Sequence, residues 1–198
     1  MSTKTAATRA QLLTAGKSAL LESGYAGLST RRVADAAGVP LSQIHYHFGS
    51  RQNLVLELLA EENRRLLDRQ ASMYESDLPL WKRWAMACDF LDDDIDSGYV
   101  RVLQEMSAAG WSDTEIAAEV RKSLSAWFDL LASVAADAMD RGIQSPFTPR
   151  ELAVLAGTPF LGVESLVLLG FEEKDLPMRS ALRKVGEVIK VLEEANAG

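Results

Sequence analysis

One cysteine stands among 198 residues, Cys88, and a single thiol cannot close a disulfide within the chain. Histidine is almost as scarce: His45 and His47 are the two the chain has. The opening stretch, MSTKTAATRAQLL, has no apolar core behind its charges, so it does not read as a secretory signal. β-strand alternation persists nowhere, and neither an internal repeat nor a low-complexity segment is present. These absences exclude a disulfide-stapled secreted module and an all-β fold, and a cytoplasmic protein is expected. Long apolar runs are also missing, with one exception. Residues 152–171, LAVLAGTPFLGVESLVLLGF, carry the single charge Glu164, and twenty such residues suffice to cross a bilayer. Pro159, Glu164, three glycines and the lack of a flanking positive cluster argue instead for a core helix buried on most sides, with no membrane partner.

What is present is a helical, acidic chain with an inverted head. Hydrophobic residues make up 47% of the sequence, enough for a buried core, and the net charge is −7. Residues 1–52 run against that average. They hold Lys4, Arg9, Lys17, Arg31, Arg32 and Arg51 against Glu22 and Asp35, a surplus of four positive charges. A basic head on an acidic body is the pattern of a nucleic-acid contact module joined to something else.

Helical spacing dominates throughout, and the chain divides into about nine helices. The first runs from about Arg9 to Ser23 and ends at Gly24. Ser29 is placed to cap a short second helix, Thr30 to Ala37, which Gly38 stops. Pro40 suits the first turn of a third short helix ending near Phe48. Two short helices around a tight glycine-containing turn make a helix-turn-helix. Ser50 then caps a long helix to about Tyr74, broken by Asp77 to Pro79. Further helices are expected over Leu80 to Ser97, Tyr99 to Ala109, Ser112 or Asp113 to Arg141, Arg150 to Gly170, and onward from Pro177. The fold class is therefore all-α. The organisation is a three-helix DNA-binding domain over 1–50 and a helical ligand-binding and dimerisation domain over 51–198.

The stretch PLSQIHYHF (40–48) concentrates the chemistry. His45 and His47 are two apart, roughly 200° around a helix, and cannot converge on one metal. No nucleophile and orienting carboxylate accompany them, so neither a metal site nor a catalytic site is expected. Ile44 and Phe48, four apart, anchor the helix inward. That leaves Ser42, Gln43, His45, Tyr46 and His47 for the other faces. Glutamine can bond adenine bidentately, and tyrosine, histidine and threonine can donate to phosphates. The bland alternative for Tyr46 and His47 is packing against the first helix or capping the fourth. The alternating Asp92, Asp94 and Asp96 suggest a calcium loop, but the glycine falls at 98 and Leu103 stands where the final glutamate belongs. A solvated helix end fits better. Trp84, Cys88, Met106, Trp111, Trp127 and Phe160 are candidate walls of a ligand pocket, with Glu164 as a polar handle. Met178, Leu182, Val185, Ile189 and Leu192 repeat at spacings of 4, 3, 4 and 3, a seam that packs on its own domain or joins two subunits.

The segments LLTAGKSALLESGY (12–25), STRRVADAAGV (29–39), IHYHF (44–48) and SRQNL (50–54) together resemble the tetracycline-repressor (TetR) family of bacterial transcription regulators. The likeness covers about a quarter of the chain. It departs from the family pattern at His45, where a tyrosine is usual, at Pro40 and Leu41, where small polar and basic residues are common, and at Arg51, which replaces a lysine. The resemblance implies a homodimeric regulator, a repressor binding double-stranded operator DNA, with the third helix in the major groove. Its DNA face would be Ser29, Thr30, Arg31, Leu41, Ser42, Gln43, His45, Tyr46, His47 and Arg51. The two recognition helices would lie about one DNA turn apart, so the operator would be roughly palindromic. An unidentified small-molecule effector would release DNA by preferring another spacing of the heads. No cofactor and no enzymatic activity are implied. The alternative is a helical small-molecule-binding or protein-interaction module without DNA activity.

Overall fold

A computed structural model describes residues 3–74 and 78–196. Among these residues there are nine α-helices and no strand. In chain order they are α1 (Thr3–Gly27), α2 (Thr30–Ala36), α3 (Ser42–Phe48), α4 (Arg51–Tyr74) and α5 (Leu80–Asp96). There follow α6 (Tyr99–Gly110), α7 (Thr114–Asp140), α8 (Pro149–Leu168) and α9 (Met178–Asn196). The all-α class expected from periodicity is the observed one. Asp77, named above as a helix breaker, lies outside the described residues.

Local chemistry sets most boundaries. Gly24 interrupts α1 with φ 67° and ψ 174°, a left-handed conformation that side chains resist. The last helical residues of α1 therefore follow a kink where the sequence signals an end. Gly38, at φ 66°, closes α2. Its N–H donates to Asp35 O at 3.1 Å and the Val39 N–H donates to Ala34 O at 3.0 Å, the paired bonds that satisfy a helix C-terminus. Ser50 Oγ accepts the Asn53 N–H at 3.0 Å, and Asp113 Oδ1 accepts those of Glu115 and Ile116 at 3.0 Å, so both expected caps form. Ser29 precedes α2 in an extended conformation, but its side chain makes no capping bond. The reciprocal Thr148–Glu151 capping box that starts α8 is legible in the sequence and was not among the expectations.

The chain forms two compact units. One comprises the residues up to Arg64 with Arg101–Arg121; the other comprises Arg65–Val100 with the residues from Lys122 onward. The division between the units falls within the continuous helix α4, and α6 belongs with the N-terminal helices.

In the first unit, α1 packs on α2 and α3, and α2 on α3. Leu12, Leu20, Val33, Ile44, Leu54, Leu59, Met106 and Ile116 are fully or almost fully buried there. Each such side chain contributes about 1.5–3 kcal/mol by leaving water. Ion pairs Arg9–Glu57 and Lys17–Glu62, the latter at 2.5 Å, tie α1 to the first half of α4.

In the second unit, α5, α8 and α9 are in mutual contact around Cys88, Leu91, Phe160, Val163, Met178 and Leu182. Gly157 lets α8 approach α7, because a β-carbon there would sit 2.7 Å from the Phe128 ring. Arg183 pairs with Asp89 at 2.7 Å and Asp92 at 2.9 Å, and Trp84 Nε1 donates to Leu182 O at 2.8 Å, which clamps α9 to α5. The aspartate run that raised calcium is divided in this way: Asp92 faces Arg183, while Asp94 accepts from Arg69 at 2.6 Å.

The apolar segment 152–171 corrects one expectation. It forms α8 as foreseen, and α8 is long and apolar enough to cross a membrane by length and composition. It is not buried on most sides. Only 28% of its most apolar window is buried, and Val154, Leu155 and Leu169 are exposed. A helix apolar all round does not require a core all round: its own unit covers one stripe and leaves the other bare.

Candidate nucleic-acid interface

α3 is held by two rings of contact on one side. Ile44 and Phe48 are buried among the first unit's helices, and the Arg9 guanidinium lies 5.7 Å from the Phe48 ring centroid. With those two side chains inward, helical geometry turns Ser42 and Tyr46 outward and places Gln43 and His45 on the flanks. Ser42 and His45 are exposed, Gln43 and Leu41 are half-buried, and Tyr46 is 72% exposed. A large aromatic left this open on an otherwise polar face is positioned to touch something outside the chain.

His47 behaves differently from the rest. It packs between the rings of Tyr46 (5.0 Å, near-perpendicular) and Phe48 (6.0 Å), and its Nε2 is buried without a hydrogen-bond partner. His45 turns back on its own helix end, its Nδ1 3.2 Å from Gly49 O. The residues 40–48 contain no carboxylate. Arg31 is exposed on α2, as is Arg32, which pairs with Glu22 at 3.1 Å on the open surface. An exposed pair of this kind contributes about 0–1 kcal/mol. Ser29 and Thr30 are half-buried at the start of α2.

Arg51 has a role that the sequence did not disclose. Its Nη1 donates toward the carbonyls of Tyr25, Ala26 and Leu28, each at 3.4 Å, and its guanidinium stacks 4.7 Å from the Tyr25 ring centroid. The positive charge expected to meet a phosphate is fastened to the connection between α1 and α2. Only the fold could bring residues 25–28 to residue 51.

These helices lie under a match to the family described as "Bacterial regulatory proteins, tetR family", which covers residues 12–58. Over those residues the chain is similar to the tetR family. The HTH-type transcriptional repressor AcnR of Corynebacterium glutamicum is 33% identical to this chain over 60 residues, 30% of the chain and 32% of AcnR. That alignment spans about a third of AcnR's length. A TetR transcription regulator from Haloarcula marismortui shares the fold at 20% identity with a TM-score of 0.78, covering 93% of this chain and 96% of that one. The transcriptional regulator FadR from Bacillus subtilis, in complex with stearoyl-CoA, shares it at 16% identity with a TM-score of 0.73, covering 90% and 96%.

The second unit sorts the other expected residues. Trp84, Cys88, Trp127 and Phe160 do come together, with Trp84–Phe160 at 5.3 Å and Trp127–Phe160 at 6.5 Å between ring centroids. Burial pushes the Cys88 thiol up to about 11, so it stays protonated near neutrality. Glu164 is buried on α8. Met106 and Trp111 do not join them: Met106 is core of the first unit, and Trp111, at the end of α6, is 86% exposed and walls nothing. A cavity of about 430 Å³ opens elsewhere in the second unit, lined by Leu78, Trp81, Arg83, Asp137, Arg141 and Glu193 among others. None of the pocket residues expected from sequence lines it. Its walls come from the ends of α5, α7 and α9, a convergence that no local pattern announces.

The seam on α9 is also redistributed. Met178 and Leu182 are buried in their own unit's core and are unavailable to another subunit. Val185 and Leu192 are exposed, Ile189 is half-buried, and Val188 and Val191, which the heptad spacing skipped, are exposed as well. A strict seven-residue repeat drifts about 20° per heptad around a straight helix, so Leu192 leaves the face that buries Met178.

Proposed function

We propose that this protein is a DNA-binding transcriptional regulator, a repressor, that inserts α3 into the major groove of double-stranded DNA. The observation that supports it best is α3 itself: pinned by Ile44 and Phe48, free of carboxylates, and turning Ser42, Gln43, His45 and Tyr46 outward from the basic head. Gln43 serves base reading, while Ser29, Thr30, Arg31 and Tyr46 serve phosphate positioning, with Leu41 against a thymine methyl. His47 supports Tyr46 from behind, and Arg51 presents the α1–α2 connection as much as its own charge.

The exposed apolar stripes of α8 (Val154, Leu155) and α9 (Val185, Val188, Val191, Leu192) suit a homodimer that buries them in a four-helix arrangement. A dimer of this kind reads two half-sites about one DNA turn apart. A small-molecule effector bound in the second unit would act through α4 and α7, each of which runs unbroken from one unit into the other. It would act only by its different affinities for the DNA-binding and DNA-released states. FadR, bound to stearoyl-CoA, is one relative of this fold with such a ligand. The protein would work in the cytoplasm, without cofactor, metal or catalysis.

A gel-shift assay on DNA from upstream of its own gene, at rising salt, tests the reading. Binding that weakens steeply as salt rises is expected. Absence of salt-sensitive binding to any DNA would leave the helical ligand-binding or interaction module as the better account.

A further inference from the structure

The hydrogen bond made by His45 dictates what its other nitrogen can do. His45 Nδ1 lies 3.2 Å from Gly49 O, and a carbonyl oxygen can only accept. The proton of this bond therefore sits on Nδ1. In the neutral imidazole, Nε2 is then bare, an acceptor facing outward from an exposed side chain. A DNA phosphate oxygen is also an acceptor only. The neutral ring can donate to it only by giving up the Gly49 bond and moving its proton to Nε2. A proton on Nε2 changes this completely. The ring keeps its bond to Gly49 O, gains a second donor, and makes that donor charge-assisted. A tyrosine at this place would carry its donor hydroxyl at every physiological pH. The histidine does not.

We propose that His45 meets a DNA phosphate as the imidazolium, which keeps the Gly49 bond and donates to the phosphate at once, so that DNA binding by this chain takes up a proton at His45. The inference rests on the DNA-binding reading above and adds a regulatory input to the same face.

The surroundings leave the phosphate as the anion that completes the site. α1 and α2 are the helices packed on α3. α1 sends Arg9 over the Phe48 ring, where it also pairs with Glu57. α2 carries Arg31, Arg32 and Asp35, with Arg32 paired to Glu22. Beyond α3, Arg51 is fastened to the carbonyls of residues 25, 26 and 28. Within α3, Tyr46 and His47 meet edge to face. Among the described residues no carboxylate pairs with the His45 ring, whose one side-chain bond is to Gly49.

The sign follows by linkage. Binding that takes up a proton strengthens as pH falls and weakens as it rises, by at most about tenfold per pH unit for each proton.

The test uses the full chain and a mixed-sequence DNA duplex at constant ionic strength. Affinity is measured from about pH 8 to about pH 6 for the wild type, His45→Tyr and His45→Gln. Because the chain has two histidines, their imidazole proton signals can be followed by NMR with and without DNA, His47→Gln giving the assignment. The wild type should tighten by roughly five- to tenfold on acidification, the gain of one charge-assisted contact. Both His45 variants should show a flat profile, and the His45 titration midpoint should rise when DNA is added. Equal pH dependence in all three proteins, or a midpoint unmoved by saturating DNA, overturns the proton coupling and leaves the DNA-binding reading intact. No DNA binding at any pH overturns both. Should a variant fail to fold, the wild-type NMR midpoint alone decides.

Discussion

Glu105 Oε2 accepts the backbone N–H of Tyr25 at 3.1 Å, across 80 positions of sequence. The bond falls one residue beyond the left-handed Gly24, and a β-carbon on that glycine would come within 3.1 Å of Glu105 Oε1. Arg101 Nε steadies the same carboxylate by donating to Oε1 at 2.8 Å. A kink in α1 that strands a backbone donor is thus answered by a charged acceptor from α6. Glu105→Ala should lower unfolding stability by about 1–2 kcal/mol, because the Tyr25 N–H loses its partner. Glu105→Gln keeps an acceptor oxygen and should lose less. Urea denaturation followed by circular dichroism measures both, and an alanine variant with an unchanged midpoint would show that water serves the amide equally well.

Arg51 combines a structural and an electrostatic role, and two substitutions separate them. Arg51→Ala should cost about 1 kcal/mol of stability through the lost carbonyl and Tyr25 contacts. It should also weaken binding to every DNA sequence alike and flatten the salt slope by roughly one unit. Arg51→Lys keeps the charge and loses the planar fork. It should retain the salt slope while losing most of the stability that alanine loses. A sequence-selective loss in either variant would reassign the residue to base reading.

Val188 and Met178 make opposite predictions although they share α9. Val188 is exposed, so Val188→Asp should leave the fold intact and shift the protein from dimer to monomer in light scattering. Met178 is core, so Met178→Asp should unfold the chain by burying an unpaired charge. A Val188→Asp variant that remains dimeric places the subunit contact elsewhere.

Two buried acids set an alkaline limit. Burial raises the Cys88 thiol from 9.0 to about 11 and the Tyr74 phenol from 10.0 to about 12. Above its ordinary range each group ionises in the unfolded chain while staying protonated in the folded one. Stability is therefore unaffected below about pH 9 and falls as pH rises from there toward 12. Cys88→Ala should remove the part of the loss between 9.0 and about 11. Denaturation midpoints measured across that window, if equally steep in both proteins, would show that the thiol is not the titrating group.

The helices were legible because their signals are local. Gly24, Gly38, Ser50 and Asp113 each act on the backbone within four residues, and the structure uses every one of them. The Ile44/Phe48 anchor was legible for the same reason: a spacing of four defines a helical face. The helix start at Thr3, ahead of the expected Arg9, was not, since Ser2, Thr3, Thr5 and Thr8 all offer a capping side chain and nothing local ranks them.

What the sequence determined by itself is the helical class, the helix-turn-helix and the face that α3 presents, all consequences of short-range periodicity and turn chemistry. What only the tertiary structure decided is which partner each side chain meets. It fastened Arg51 to residues 25–28, left Trp111 open, sank Met178 and Leu182 into a core while exposing Val188, and left Val154 and Leu155 of α8 bare. Apolar character records that a surface tends to be buried. Which surface buries it depends on how helices distant in sequence are brought together, and no local pattern carries that information.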